Sequence, residues 1–134
     1  MHEPLEGIAE ADAILGRPFP LPSAALPLAR WVDVVQVAER GVEVAWNLDD
    51  TRAGAPGRLA LYAGLDAAPD RDLPEAQEAG AEGPIAVRTA ALGEAQPSLR
   101  PVTELTWERD GLNLRLTAQG PWELDALLAL ARSV

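Results

Sequence analysis

The chain has no cysteine and no lysine, and its one histidine is the second residue. Without cysteine there are no disulfides, no thiolate metal sites and no thiol nucleophile. A lone His2 in a terminus prone to fraying leaves no base for a Ser-His-Asp or Cys-His arrangement, and no histidine set for a metal. Without lysine there is no Gly-rich phosphate loop ending in Lys. Ser23, Ser98 and Ser133 lie in a Pro-rich connector, an irregular stretch and the last two residues, and none has a nucleophile-elbow context. No run reaches the ~18 apolar residues of a membrane span. The opening Met1-His2-Glu3-Pro4 lacks the basic and apolar regions of a signal peptide. The chain therefore reads as non-enzymatic, with no catalytic residues, no metal site and no cofactor, and without direct membrane insertion.

Positive charge is also scarce. Eleven basic residues, all arginine, face 21 acidic ones, for a net charge of −10. The exclusive use of arginine fits a GC-rich genome rather than a task. A surface of this sign repels phosphate backbones and anionic lipid, which excludes nucleic acid as a partner. Composition leaves the location unassigned. The oligomeric state is open.

What is present is enough for one core. At 134 residues and 48% apolar content the chain fits a single domain, residues 1–134, and buries roughly two-thirds of its unfolded surface. Leu5, Ile8, Ala11 and Leu15 make a helical stripe over residues 5–15, with Asp12 at its edge and Gly16 as its stop. Pro18, Pro20, Pro22 and Pro27 then impose an extended connector, which Phe19, Leu21 and Leu26 pack onto the domain. Strands are predicted over residues 31–38, 42–48, 58–63 and 85–89. Residues 64–83 carry six carboxylates among Ala, Pro and Gly and read as a mobile acidic loop, with a short helix near residues 73–78.

The firmest local feature is a hairpin over residues 102–118. Asp110-Gly111 is a two-residue turn in which both positions accept positive φ. It sets Trp107 opposite Leu114 and Leu105 opposite Leu116 on an apolar face. Glu108 then meets Asn113, Thr106 meets Arg115 and Glu104 meets Thr117 on a polar one. A second helix follows Gly120-Pro121, with Leu124, Leu127, Leu128 and Ala131 as its stripe and Trp122 at its start. The expected fold is α+β: an antiparallel sheet of five to six strands, in two hairpin or meander units, bracketed by an N-terminal and a C-terminal amphipathic helix. Whether the helices share one face of the sheet is left open.

Three groups could carry chemistry. Asp49, Asp50 and Thr51 offer oxygens to a hard cation, but no Asp-x-Asp loop closes with Glu, so they read as turn formers. Glu104 and Glu108 lie near Arg115 and read as cross-strand ion pairing. Of the four tryptophans, Trp46 and Trp107 follow strand periodicity into the core. Trp31 and Trp122 stand at element ends, where they are candidates to line a ligand pocket.

The run 8–22, IAEADAILGRPFPLP, followed by Ala25-Leu26-Pro27, resembles the opening of an uncharacterised bacterial domain family. That family is found as the extracytoplasmic C-terminal part of membrane-anchored anti-sigma factors and related envelope-stress regulators. Leu105-Thr106-Trp107, Asp110-Gly111, the strand 112–116 and the closing Ala131-Arg132-Ser133 continue the resemblance. Arg17-Pro18 replaces a commoner aromatic-Pro step with Phe19 displaced by two positions, and the acidic stretch 66–82 is a further departure. The membrane helix and sigma-binding segment of such regulators are not in these 134 residues, so the chain is expected to be a sensor half or a free-standing relative. The resemblance implies a regulatory domain that binds a protein or envelope signal, and it carries over no functional residue. The alternative is a module that carries a small apolar ligand or lipid between sheet and helices.

Overall fold

The computed structural model describes residues 3–24, 26, 29, 31–48, 57–69, 77–90, 102–120 and 122–134. In chain order the elements are β1 (Glu3–Pro4), α1 (Ile8–Leu15), β2 (Trp31–Ala38), β3 (Gly41–Asn47), β4 (Leu59–Gly64), β5 (Gln77–Glu82), β6 (Ile85–Ala90), β7 (Val102–Arg109), β8 (Leu112–Gln119) and α2 (Leu124–Ser133). The strands form one sheet in the order β1-β2-β3-β4-β8-β7-β6-β5, with every neighbouring pair antiparallel. Two meanders meet along a β4/β8 seam that runs from Leu59↔Ala118 to Gly64↔Asn113. The α+β antiparallel class agrees with the sequence, and among the described residues the sheet has eight strands where five or six were expected.

The two extra strands are β1, only two residues long, and β5. β5 and the last residue of β4 lie inside the stretch 64–83 expected to be an acidic loop, and residues 70–76 of it lie outside the described residues. Gly83 has φ +62 and is followed by Pro84, whose ring holds φ negative. That combination closes a tight hairpin in which Glu82 faces Ile85. The short helix expected near 73–78 does not reach Gln77 and Glu78, which are strand; residues 73–76 lie outside the described residues. Asp49, Asp50, Thr51, His2 and Ser98 also lie outside them.

The long hairpin has the register its turn chemistry sets. Asp110 and Gly111 adopt φ 54 and 80, and all five cross-strand pairs named above are present. The alternation continues across the sheet. Val44, Leu61, Leu116, Leu105 and Val87 are successive partners in one row of the apolar face. All five are at most 3% exposed.

Both helices pack on that apolar face, α1 against β2 and β3 and α2 against β8. α1 starts at Ile8, three residues later than the stripe suggests. The Leu5 N–H is taken by the Val34 carbonyl at 2.8 Å, so the chain is still sheet-paired there. Gly16 ends the helix in the left-handed region, φ 70. Asp12 Oδ1 accepts the Phe19 N–H at 2.7 Å, which turns the Pro-rich connector back so that Phe19 is buried and Leu26 packs on the core. Leu21, expected to pack, is exposed instead.

α2 begins at Leu124, so Trp122 precedes the helix and is tied by Nε1 to the Gln119 carbonyl at 3.1 Å. Leu127, Leu128, Leu130 and Ala131 are buried, whereas Leu124 in the first turn is 39% exposed. No helix among the described residues is long and apolar enough to cross a membrane.

Candidate functional site

The sheet face away from the helices is polar but not open. Along one row Glu43, Tyr62 and Arg115 are successive partners on β3, β4 and β8. Glu43 and Arg115 are 6% and 5% exposed, and Tyr62 is fully buried. The Arg115 guanidinium lies 5.8 Å above the Tyr62 ring, and its Nη2 reaches across β4 to within 3.7 Å of Glu43 Oε2. Arg58 approaches the other Glu43 oxygen at 3.8 Å. Charges this deep are tolerated only when paired, so the row reads first as a structural lock between the meanders.

Segment 65–69 passes over this row and fastens to it. The Tyr62 hydroxyl donates to the Asp66 carbonyl at 2.7 Å, and Arg115 Nη1 donates to the Pro69 carbonyl. Asp66 Oδ2 in turn accepts the Arg40 N–H at 2.8 Å. Burial holds the Tyr62 phenol above its ordinary value of 10.0; Asp66 pushes the same way, and Arg115 opposes both.

Beside the lock, β6, β7 and β8 floor a cleft of about 550 Å³. Its polar floor is built from Arg88, Glu104, Thr106, Glu108, Asn113 and Arg115, and Ala67, Ala68 and Pro84 stand at its wall. Arg88 lies opposite Glu104 in the register, with Nη1 3.4 Å from Glu104 Oε1. Glu104 is 4% exposed, whereas the Arg88 side chain is 44% exposed. The ion pairing is thus distributed differently from the sequence expectation: Glu104 takes Arg88 and Arg115 takes Glu43. Next to Glu104 across the strand pair, the Thr117 hydroxyl is buried with no hydrogen-bond partner among the described residues.

The second surface is the outer edge of β2. β1 covers only its far half, through Glu3↔Gln36 and Pro4↔Val35. Beyond that cover Trp31 and Val32 are 46% and 49% exposed. In an antiparallel strand, residues two apart turn their N–H and C=O to the same side. The Val34 carbonyl faces outward to Leu5, so the N–H and C=O of Val32 face outward as well. Among the described residues nothing pairs with them.

The two tryptophans singled out from the sequence stand apart. Trp31 is on the polar face, in the alternation opposite to Val32↔Trp46, while Trp122 packs against the apolar core. Neither lines the cleft. Glu43, Tyr62 and Arg88 were not singled out from the sequence, because nothing local in it places β4 beside β8 or β6 beside β7. Among the described residues no three His, Cys, Asp or Glu side chains gather to hold a metal.

These features define a class: an α+β domain with one antiparallel sheet, helices on one face, a buried ionic lock on the other and one half-covered edge. Comparison with protein-family models, curated proteins and solved structures finds no match to this chain.

Proposed function

We propose that this chain is a non-enzymatic interaction domain of a regulatory protein, and that it docks an extended segment of a partner by adding it as a strand to the free edge of β2. The observation that carries this reading is the pair Trp31 and Val32, large apolar side chains about half exposed on an edge whose outward backbone groups have no partner among the described residues. Edge strands are normally blunted by charge, proline or cover, and one left open with apolar side chains is a template for strand addition. The resemblance to the extracytoplasmic part of anti-sigma regulators supports a sensory role in which occupancy of the edge is the signal.

The occupant is a partner rather than a second copy. Two chains of net charge −10 repel, and Asp33 adds an exposed carboxylate to the edge. The partner segment therefore alternates apolar residues with Lys or Arg. The space between sheet and helices is filled by Leu15, Phe19, Leu61, Leu116, Leu127 and Leu128, which favours this reading over carriage of an apolar ligand or lipid there.

Selection from displayed random decapeptides tests it. The expected product is a set of alternating apolar and basic sequences whose binding is lost with Val32→Pro, a change that removes one outward N–H. Enrichment of no sequence, or binding indifferent to Val32→Pro, contradicts the proposal.

A further inference from the structure

We propose that the polar cleft on β6, β7 and β8 binds a short zwitterion, a free di- or tripeptide, with its carboxylate on Arg88 and its ammonium at Glu108. The cleft holds about 550 Å³, within the range of small-molecule sites. Its two exposed charges, Arg88 and Glu108, are of opposite sign, whereas Glu104 and Arg115 are buried and engaged with Arg88 and Glu43. A lone anion on Arg88 also meets Glu108, and a lone cation on Glu108 also meets Arg88. A guest with one charge of each sign, separated, meets an opposite charge at each end.

The spacing selects the length of the guest. Glu104 and Glu108 are four residues apart on β7, on the same face, which is about 13 Å along a strand. Arg88 is directly opposite Glu104, so Arg88 and Glu108 stand at the two ends of that span, and both line the cleft. Two or three extended residues reach about 7–11 Å, which fits inside that span once the two side chains take up the rest. Thr106, between the two ends, supplies a hydroxyl, and Asn113, opposite Glu108 and donating through Nδ2 to the Leu65 carbonyl at 3.4 Å, supplies its amide oxygen for the guest's peptide groups. Arg88 is the exposed partner of its pair and can offer its free guanidinium edge to a carboxylate while keeping Glu104. Arg115 is committed to Glu43 and the Pro69 carbonyl, and it serves as the rigid back of the cleft.

Isothermal titration with trialanine tests the site on the full chain. The expected result is saturable one-to-one binding that weakens about tenfold or more when either end of the peptide is capped, as N-acetyl-trialanine or trialanine amide. Glu108→Gln reproduces the loss from the ammonium end, and Arg88→Lys, which keeps the charge beside Glu104, weakens the carboxylate end. Glu108 is exposed, so its variant folds. Absence of saturable heat at millimolar peptide overturns the proposal, and so does equal binding of capped and free peptides or of the two variants and the parent chain.

Discussion

The ring of Tyr62 occupies the space that a side chain on Gly41 would need. A Cβ at Gly41 would stand 2.7 Å from Tyr62 Cζ, far inside van der Waals contact. Gly64, which pairs with Gly41 across the strands, is under the same ring. Two glycines thus form the bed in which the only tyrosine of the chain lies, with its hydroxyl held by Asp66 and Arg115 above it. Gly41→Ala is expected to cost about 1–3 kcal/mol through overpacking. In a Tyr62→Ala background the same change should cost much less, and denaturant midpoints of the four chains in the cycle measure the difference. Equal costs in both backgrounds would show that ring and glycine are not coupled. Gly64→Ala should be the harsher of the two, because its Cβ also meets the Arg40 carbonyl at 2.7 Å, and a backbone atom cannot swing aside.

The same tyrosine reports on pH. Burial raises its pKa above 10.0, so the folded chain keeps the phenolic proton where the unfolded chain has begun to lose it. The stability from the neutral phenol is complete below pH 10 and is lost as pH rises through the folded value. Phenolate absorbance should titrate above pH 10 in the native chain and near 10 in denaturant. Coincident midpoints would mean that the phenol is solvated.

Removing Arg115 takes from the buried Glu43 a guanidinium at 3.7 Å and leaves Arg58 at 3.8 Å from its other oxygen. Arg115→Met is therefore expected to cost about 3–5 kcal/mol in urea unfolding. Pairing it with Glu43→Gln should recover part of that loss, because the buried charge goes with its partner. A double variant no more stable than Arg115→Met would show that the two residues act independently.

Trp107→Ala should cost about 3–5 kcal/mol, since this side chain is 9% exposed and lies in the apolar core. An unmoved unfolding midpoint would place Trp107 outside the core.

How far the sequence reaches is clearest by comparing two hairpins. Asp110-Gly111 sits between segments of clean alternation, so turn type and burial choose the same register, and the β7/β8 pairing is legible to the residue. Gly83-Pro84 is just as specific a turn, but the flanking segment QEAGAE lacks β-branched and aromatic residues, and its strand is supported by pairing with β6 alone. Composition there argues for a loop, and tertiary pairing overrides it. The lock could not be read at all. Glu43, Tyr62 and Arg115 come together only because β8 returns to β4 across more than fifty residues, a pairing that leaves no local trace. Trp31 was legible as an element-end aromatic. Its exposure depends on how little of β2 is covered by β1, and a two-residue strand leaves no periodicity to find.

The open edge of β2 is the claim on which the functional account rests, and amide hydrogen exchange read residue by residue tests it most directly. In the free chain the Val32 N–H should exchange quickly, while that of Asp33, turned toward β3, is protected. Saturation with a selected apolar-basic peptide should protect Val32 and leave Asp33 unchanged. A Val32 amide already protected in the free chain, or one left unprotected with peptide bound, would contradict docking by strand addition at this edge.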